Sequence, residues 1–315
     1  MSNLILTTDC QRKCSYCFAG DDRDKGLLFS WESFIKVVNF FPPAINLLGG
    51  EPTLHPEFIR MLDYLLVNNF TIQVFTNGLL SDDLLIELVN TINKYELKKD
   101  QLYFAVNVSS EKYRTKDETI KQIKFFKALT KLAYPSFTIY EKDTNLLFLL
   151  DLIKKYDLDP TIRLGIAMPV IGGSNIHLPA KLYKNVAQSI INLSENSDNA
   201  TIVFDCGFPL CMFTLEEISR LNKNEKNDFM FSCGQPLDIY PDLTVANCYP
   251  LSKLHKVSLN NFKTFNELNN YFRDGFSTPT GIYGDRCKEC TFFKKICDGG
   301  CKGFYTPQKG VLGNK

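Results

Sequence analysis

Apolar and polar positions follow two rhythms along the first two thirds of the chain. Short continuous apolar runs, rich in β-branched and aromatic residues, read as buried parallel strands: LILTT (4–8), INLLGG (45–50), TIQVFTNG (71–78), LYFAVNVSS (102–110), SFTIYEKD (136–143) and TIRLGIAMP (161–169). Between them the apolar positions recur at helical spacing. In HPEFIRMLDYLLVNN, Phe58, Met61, Leu62 and Leu65 share one face, and DDLLIELVNTINKY, DETIKQIKFFKALTKL, NLLFLLDLIKKY and KLYKNVAQSIINLSEN repeat the device. Ser30 and Asp82 are placed as helix caps. Six successive β/α units predict an α/β fold. Its parallel sheet has right-handed crossovers and is open or curled into a partial (β/α)6 TIM-like barrel. Chemistry gathers at the carboxyl ends of the strands in such sheets. After about residue 200 the alternation stops, turns become frequent and cysteines become dense. This gives a core domain over 1–200 and a small cysteine-rich domain over 201–315, with the tail GVLGNK expected to be loose.

Composition narrows the setting. A net charge of +1 gives no argument for a nucleic-acid or membrane partner, and no apolar run approaches a membrane span. The opening residues MSNLILTTDC are too short and wrongly flanked for a secretory signal, so a cytoplasmic location is expected. Eleven cysteines in a reducing compartment point to metal binding rather than disulfides, and the count is odd.

Cys10, Cys14 and Cys17 follow the first strand in TTDCQRKCSYCFAG. The spacing C-x3-C-x2-C lets one loop wrap three corners of a 4Fe-4S cube, which normally takes four thiolates. Three thiolates leave one iron open to a substrate or cofactor. On spacing alone a zinc site completed from a distance stays open. The second strand ends in GGEPTLHP and the third in FTNG. Together these motifs resemble the radical S-adenosylmethionine (SAM) enzymes, which carry C-x3-C-x2-C after strand one and GGEP after strand two.

The resemblance implies that the open iron is chelated by the amino and carboxylate groups of the cofactor's methionine part. Gly49, Gly50, Glu51 and Pro52 match the motif that receives the amino group. Glycine suits close backbone approach, and an ammonium wants acceptors. Tyr16 matches an aromatic position near the adenine. Thr76, Asn77, Asn107 and Ser109 end strands where relatives place ribose or carboxylate contacts, although NVSSEK lacks the family's Asp and Gly. Arg114 and Arg163 are candidates to pair the cofactor carboxylate. For Arg163, a charge on an apolar strand, a structural ion pair is the alternative. His55 reads as a turn residue.

The remaining cysteines are Cys206, Cys211, Cys233, Cys248, Cys287, Cys290, Cys297 and Cys301. Cys233 and Cys248 flank an expected β-hairpin, and CKECTFFKKICDGGC gives C-x2-C-x6-C-x3-C. This resembles the SPASM extension of radical SAM enzymes that modify peptides, which carries auxiliary 4Fe-4S clusters. The distal cysteine common in that extension is absent, and DCGFPLC supplies Cys206 and Cys211 ahead of its usual start. Eight thiolates suffice for two clusters. By analogy Cys233, Cys248 and Cys301 belong to an inner cluster, and Cys287, Cys290 and Cys297 to an outer one. Cys206 and Cys211 are either the missing ligands, or one of them is a free thiol donating a hydrogen atom to a substrate radical.

The implied activity is reductive cleavage of SAM to a 5′-deoxyadenosyl radical and hydrogen-atom abstraction from a peptide, an oxidoreductase-like maturation by crosslinking, epimerisation or oxidation. Alternatives are a SPASM-type dehydrogenase or carbon-skeleton enzyme acting on a small molecule, and an iron–sulfur electron carrier. Implied partners are a flavodoxin- or ferredoxin-type electron donor and the peptide. Because the first strand begins near Leu4, the expectation is that a leader peptide needs a separate binding protein, or that the substrate is short or leaderless.

Overall fold

The computed structural model describes residues 1–109, 113–197, 199–234, 236–275 and 281–304. The tail GVLGNK and Ser110, the last residue of the fourth strand run, lie outside them. Each expected β/α unit is present. Strands β1 (Ser2–Ile5), β2 (Ala44–Leu48), β3 (Thr71–Thr76), β4 (Leu102–Asn107), β5 (Ala133–Ile139) and β6 (Thr161–Ile166) alternate with helices α1 (Trp31–Phe40), α2 (Phe58–Val67), α3 (Asp82–Ile92), α4 (Lys116–Leu129), α5 (Phe148–Tyr156) and α6 (Tyr183–Glu195). Neighbouring strands of this series pair in parallel. Phe58, Met61, Leu62 and Leu65 are fully buried on one face of α2, as their spacing predicts. Each such burial contributes about 1.5–3 kcal/mol.

Ser30 caps α1, its side chain accepting from Ser33 N at 3.1 Å. The cap of α3 is Ser81, which accepts from Leu84 N at 3.3 Å; Asp82 is the first helical residue and faces Lys124 at 2.6 Å. The two side chains are equally suited to capping, and the hydroxyl stands one residue earlier, where the backbone is still extended.

The sheet continues past residue 200. β7 (Thr201–Phe204) pairs in parallel with β6, so seven successive parallel strands are present. After α7 (Leu215–Leu221), strands β8 (Leu237–Ile239), β9 (Thr244–Asn247) and β10 (Lys256–Ser258) form an antiparallel meander, and β8 and β9 are the hairpin foreseen between Cys233 and Cys248. β8 lies parallel to β1, with Asn3 opposite Asp238. The strand order is β10-β9-β8-β1-β2-β3-β4-β5-β6-β7: an open sheet with β1 inside it and its loop among the other strand ends. Helices α8 (Phe265–Gly275) and α9 (Asp285–Lys288) complete the C-terminal lobe.

Candidate cofactor and cluster sites

The first cysteine loop is fastened by the loop after β2. Gly50 N donates to Thr7 O and Glu51 N to Asp9 O, both at 2.8 Å, so the chain leading to Cys10 lies directly against GGEP. A Cβ on Gly50 would stand 2.3 Å from Asp9 O, and one on Gly49 would stand 2.6 Å from Thr7 O. Only glycine permits that approach. The loop then turns on itself through Cys17 N to Cys14 O at 3.1 Å and Gly20 N to Cys17 O at 3.2 Å. All three thiols are free and half-buried. Burial pushes the Cys10 thiol up to about 12, and Glu51, Cys17 and Cys14 add to the rise by their nearby negative charge. Cys17 is raised by burial first and by Cys14 next. Thiols gathered so that each opposes the others' ionisation are relieved by a cationic centre.

Glu51 is 1% exposed. Its carboxylate accepts from Thr53 N (3.2 Å), Thr53 Oγ1 (2.7 Å), Thr76 Oγ1 (2.7 Å) and Asn77 N (2.7 Å). Burial raises its pKa, and these donors hold it back. The carboxylate therefore ties the GGEP loop to the end of β3. Pro52 opens the short turn Pro52–Leu54 that follows, and His55 is buried behind it between Phe29 O at 2.9 Å and Glu57 N at 3.1 Å. Thr76 also accepts from Gly78 N at 3.0 Å. Asn77 reaches the cysteine loop: its Nδ2 is 3.9 Å from Cys10 Sγ, and its Oδ1 accepts from Gln11 Nε2 at 3.3 Å.

Tyr16 donates to Asn107 Oδ1 at 3.4 Å and stacks on Tyr140, with ring centroids 4.6 Å apart. Under them lies Arg12, a residue that cysteine spacing did not single out. It is 8% exposed, donates from Nε to Glu118 Oε1 at 2.9 Å and from Nη1 to Asn107 O at 3.0 Å, and its buried Nη2 has no partner among the described residues. The only signal for it was a charge inside a loop of metal ligands; its partner is on α4. Gln122, also on α4, donates to Asn77 O at 2.7 Å and Asn107 O at 3.1 Å, joining the ends of β3 and β4. Ser109 follows β4 and is half-buried, and Arg114 lies between residues 110–112 and α4. Arg163 takes the structural alternative. Its guanidinium pairs with Asp205 at 2.5 Å, donates to Ser136 Oγ at 3.3 Å and stacks over Phe75.

The eight later cysteines fall into two neighbourhoods. Burial raises Cys206 well above the ordinary thiol value, followed by Asp205, Cys301, Cys233 and Cys248. Cys248 is raised by burial and then by Cys301, Asp238 and Cys233; Cys301 is pushed up to about 12 by burial, with Cys233 adding. These four form an inner set. Cys248 has φ +70° and ψ 152°, a region that non-glycine residues enter only when the surroundings impose it. A Cβ on Gly207 would stand 2.1 Å from Met168 Cε, and its φ of +98° suits only glycine. Cys211 is raised by burial, then by Cys297 and Cys287, and Leu210 N donates to Cys297 Sγ at 3.4 Å. Cys287 and Cys297 thus stand with Cys211 in an outer group, and Cys290 N donates to Cys287 O at 3.1 Å, so Cys290 follows in the same turn of chain. Among the described residues no three His, Cys, Asp or Glu side chains are gathered tightly enough for a single metal ion.

The C-terminal lobe also touches the first loop. Tyr249 donates to Asp22 Oδ2 at 3.2 Å, Lys253 pairs with Asp21 at 2.6 Å, and burial raises the Tyr249 hydroxyl with Cys17 among the lesser causes. The loop after β6 completes the enclosure through Ile176 N to Ser15 O at 2.9 Å.

An open parallel sheet that brings three thiols and a glycine-rich turn together at its carboxyl edge is the frame of a cofactor-dependent α/β enzyme core. Residues 4–140 match the Radical SAM superfamily, and the chain carries a radical SAM domain, whose cofactors are a 4Fe-4S cluster and SAM. The fold extends this likeness over the cysteine-rich lobe. Streptococcus suis SuiB bound to the precursor peptide SuiA superposes with a TM-score of 0.65 at 15% identity, covering 96% of this chain and 71% of that one. Native anSMEcpe with bound AdoMet and Cp18Cys peptide gives 0.64 at 19% identity, covering 96% and 89%. In sequence, an S-adenosylmethionine-dependent nucleotide dehydratase of Selenomonas ruminantium is 37% identical over 79 residues, 24% of this chain and 29% of that protein. The matched stretch is thus less than a third of that relative's length. Among the described residues no helix is long and apolar enough to cross a membrane.

Proposed function

We propose that this radical SAM enzyme modifies a peptide, using one cluster on Cys10, Cys14 and Cys17 and two auxiliary clusters in the C-terminal lobe. Bound there, the cluster and SAM supply a 5′-deoxyadenosyl radical that removes a hydrogen atom from the substrate. The observation that carries the reading is the company of two cysteines, Cys206 lying near Cys301, Cys233 and Cys248, and Cys211 near Cys297 and Cys287, which supports two sets of four once Cys290 is counted with the second. It favours double ligation over a hydrogen-donating thiol, because each cysteine lies among thiols of one set. The residues at the sheet edge suit the cofactor. Cys10, Cys14 and Cys17 offer three thiolates, and Asn77 stands beside Cys10. Carbonyls of the GGEP loop, fixed by the saturated Glu51, are the acceptors proposed for the ammonium. Tyr16, braced by Tyr140 and Asn107, is the flat surface proposed for the adenine. Arg163 holds the β6 and β7 ends together instead.

A peptide substrate is supported by the fold shared with SuiB and anSMEcpe, both solved with a peptide bound. The matched nucleotide dehydratase favours a small-molecule substrate, but over 24% of this chain only. A flavodoxin- or ferredoxin-type donor, a separate leader-binding protein and a cytoplasmic location belong to the same proposal.

The test is anaerobic reconstitution. Three clusters bring about twelve irons per chain. Cys206→Ala should perturb the inner cluster alone and Cys211→Ala the outer alone, read by Mössbauer spectroscopy. The reduced wild type should release 5′-deoxyadenosine. Zinc at a mole or two per chain with negligible iron would overturn the reading. A Cys206 or Cys211 variant that keeps every cluster and cleaves SAM but makes no product would make that cysteine the hydrogen donor.

A further inference from the structure

We propose that Arg12 is a positioning residue for the reductive step: Glu118 and Asn107 fix its guanidinium as a buried positive charge in the first cysteine loop, and that charge favours the reduced state of the cluster on Cys10, Cys14 and Cys17. The inference rests on the reading that these three cysteines hold the cluster that binds SAM.

The first observation is where the charge lies. The loop carries two neighbouring cations between Cys10 and Cys14. Lys13 is exposed, so water and salt screen it. Arg12 is 8% exposed, and a charge in a low-dielectric interior acts far more strongly on its neighbours than one in water. The backbone N–H of Arg12 faces the Cys10 sulfur. Burial raises the Tyr16 hydroxyl, the Cys14 sulfur adds to the rise and the Arg12 guanidinium opposes it, so sulfur, hydroxyl and guanidinium share one neighbourhood.

The second observation is that the ion pair is incomplete. Glu118 accepts from Arg12 Nε at 2.9 Å, but it also accepts from Thr115 N at 3.0 Å at the start of α4. Asn107 O takes Nη1 at 3.0 Å, and the same carbonyl is held by Gln122 Nε2 at 3.1 Å. Nη2 is buried with no partner among the described residues. The carboxylate is also the wetter end of the pair, its side chain 20% exposed against 8% for Arg12. The pair is therefore a dipole with its positive end on the buried side. A buried guanidinium with an idle donor costs stability, and an apolar side chain of similar size would pack there without that cost. A role in the electrostatics of the loop accounts for the charge, whereas packing alone does not.

The third observation is the charge that opposes it. Cys10 also feels the buried carboxylate of Glu51. Three thiolates and that carboxylate make the site negative, and an added electron makes it more so. In the reductive step one electron passes from a one-electron reductant to the site, the reductant is oxidised by one unit, and no bond forms or breaks. A cation fixed nearby stabilises the state that carries the extra negative charge.

The experiment is a potentiometric titration of the reconstituted full chain, followed by electron paramagnetic resonance. The reduced signal that changes when SAM is added identifies the cluster. We expect R12M to lower the midpoint so that the ratio of reduced to oxidised cluster at a given potential falls about tenfold, which is about 59 mV for one electron. E118Q leaves the cation uncompensated and should raise the ratio by about threefold or more. R12K keeps the charge, and K13M removes an exposed one from the same loop; both should stay within about twofold of wild type. Damage to the loop would move R12M and E118Q the same way, so shifts of opposite sign mark the charge itself. Shifts of the two in the same direction, or a midpoint of either within about twofold of wild type, would overturn the proposal, as would an R12K or K13M shift as large as that of R12M. Should R12M lose its iron, E118Q decides alone: a raised midpoint supports the proposal, and an unmoved or lowered one overturns it. If the SAM-responsive signal persisted in a chain with Cys10, Cys14 and Cys17 all replaced by Ala, the reading beneath the proposal would fail instead.

Discussion

Replacing Glu51 by Ala tests whether the GGEP loop works through its carboxylate or through the backbone that the carboxylate organises. Four donors converge on that carboxylate: two backbone N–H groups, of Thr53 and Asn77, and two hydroxyls, of Thr53 and Thr76. The hydroxyls can turn to other acceptors. The two buried N–H groups cannot, and each costs about 1–3 kcal/mol when left unpaired. With a smaller loss at the hydroxyls, the variant should lose about 4 kcal/mol. The unfolding entropy of a 315-residue chain is about 2.1 cal/mol/K per residue, so the Tm should fall by about 6 °C. Anaerobic thermal unfolding reads that shift, and a SAM titration with iron analysis reads the site. SAM affinity should drop while the Cys10–Cys14–Cys17 cluster still assembles, because the thiols are on the neighbouring loop. Glu51→Gln should recover part of the stability, since one oxygen still accepts while its NH2 group faces donors. A Tm within about 1 °C of wild type would refute the reasoning, because four satisfied bonds cannot then be organising the loop. A lowered Tm with unchanged affinity would place the cofactor's ammonium away from this turn.

Gly50→Ala should be worse for the site than for the fold: its Cβ would press Asp9 O at 2.3 Å, so the loop of Cys10, Cys14 and Cys17 must shift, and iron analysis should show about four fewer irons per chain. Asp238, buried and facing Asn3 at 2.6 Å, has its carboxyl raised to about 7, chiefly by burial, so the folded chain binds this proton more tightly than the unfolded one and the contribution to stability is lost as pH rises toward that value. Wild type should therefore lose up to about 4 kcal/mol relative to Asp238→Asn between pH about 4 and about 7, measured by urea unfolding of both proteins; a constant difference across that range would contradict it.

What the chain disclosed depended on how far apart the interacting residues lie. The β/α units were legible because each repeats a local period, and the cysteine loop and GGEP turn because their chemistry is contiguous in sequence. The pairing of β8 with β1 was not legible: it joins Asn3 to Asp238 across most of the chain, through a three-residue strand too short to show a period. Arg12 escaped for a similar reason, since Glu118 makes sense of it only once α4 stands under the cysteine loop. Arg163 could be narrowed to two partners from its apolar surroundings. The choice required Asp205, which pairing with β7 delivers. Counting thiols showed that two sets of four were possible. Spacing could not say which set takes Cys206 and which Cys211, because only four residues separate them.

That close spacing has a consequence for assembly. Under the proposed ligation, the inner and outer clusters are not independent modules strung along the chain. Cys206 and Cys211 deliver one peptide to both, and Cys297 and Cys301 deliver a second, so filling either set fixes the entry and exit of the other. The lobe has short strands and little helix of its own, and thiols buried this deeply oppose ionisation until a cationic centre holds them. Metal binding is then folding energy for the lobe. Through the bonds of Tyr249 and Lys253 to Asp22 and Asp21, it also steadies the loop of Cys10, Cys14 and Cys17. A ligand lost from the inner set should therefore be felt at the sheet edge as well as in the lobe, whereas the outer set, exposed on its far side, is better placed to lose a ligand without disturbing the first cluster.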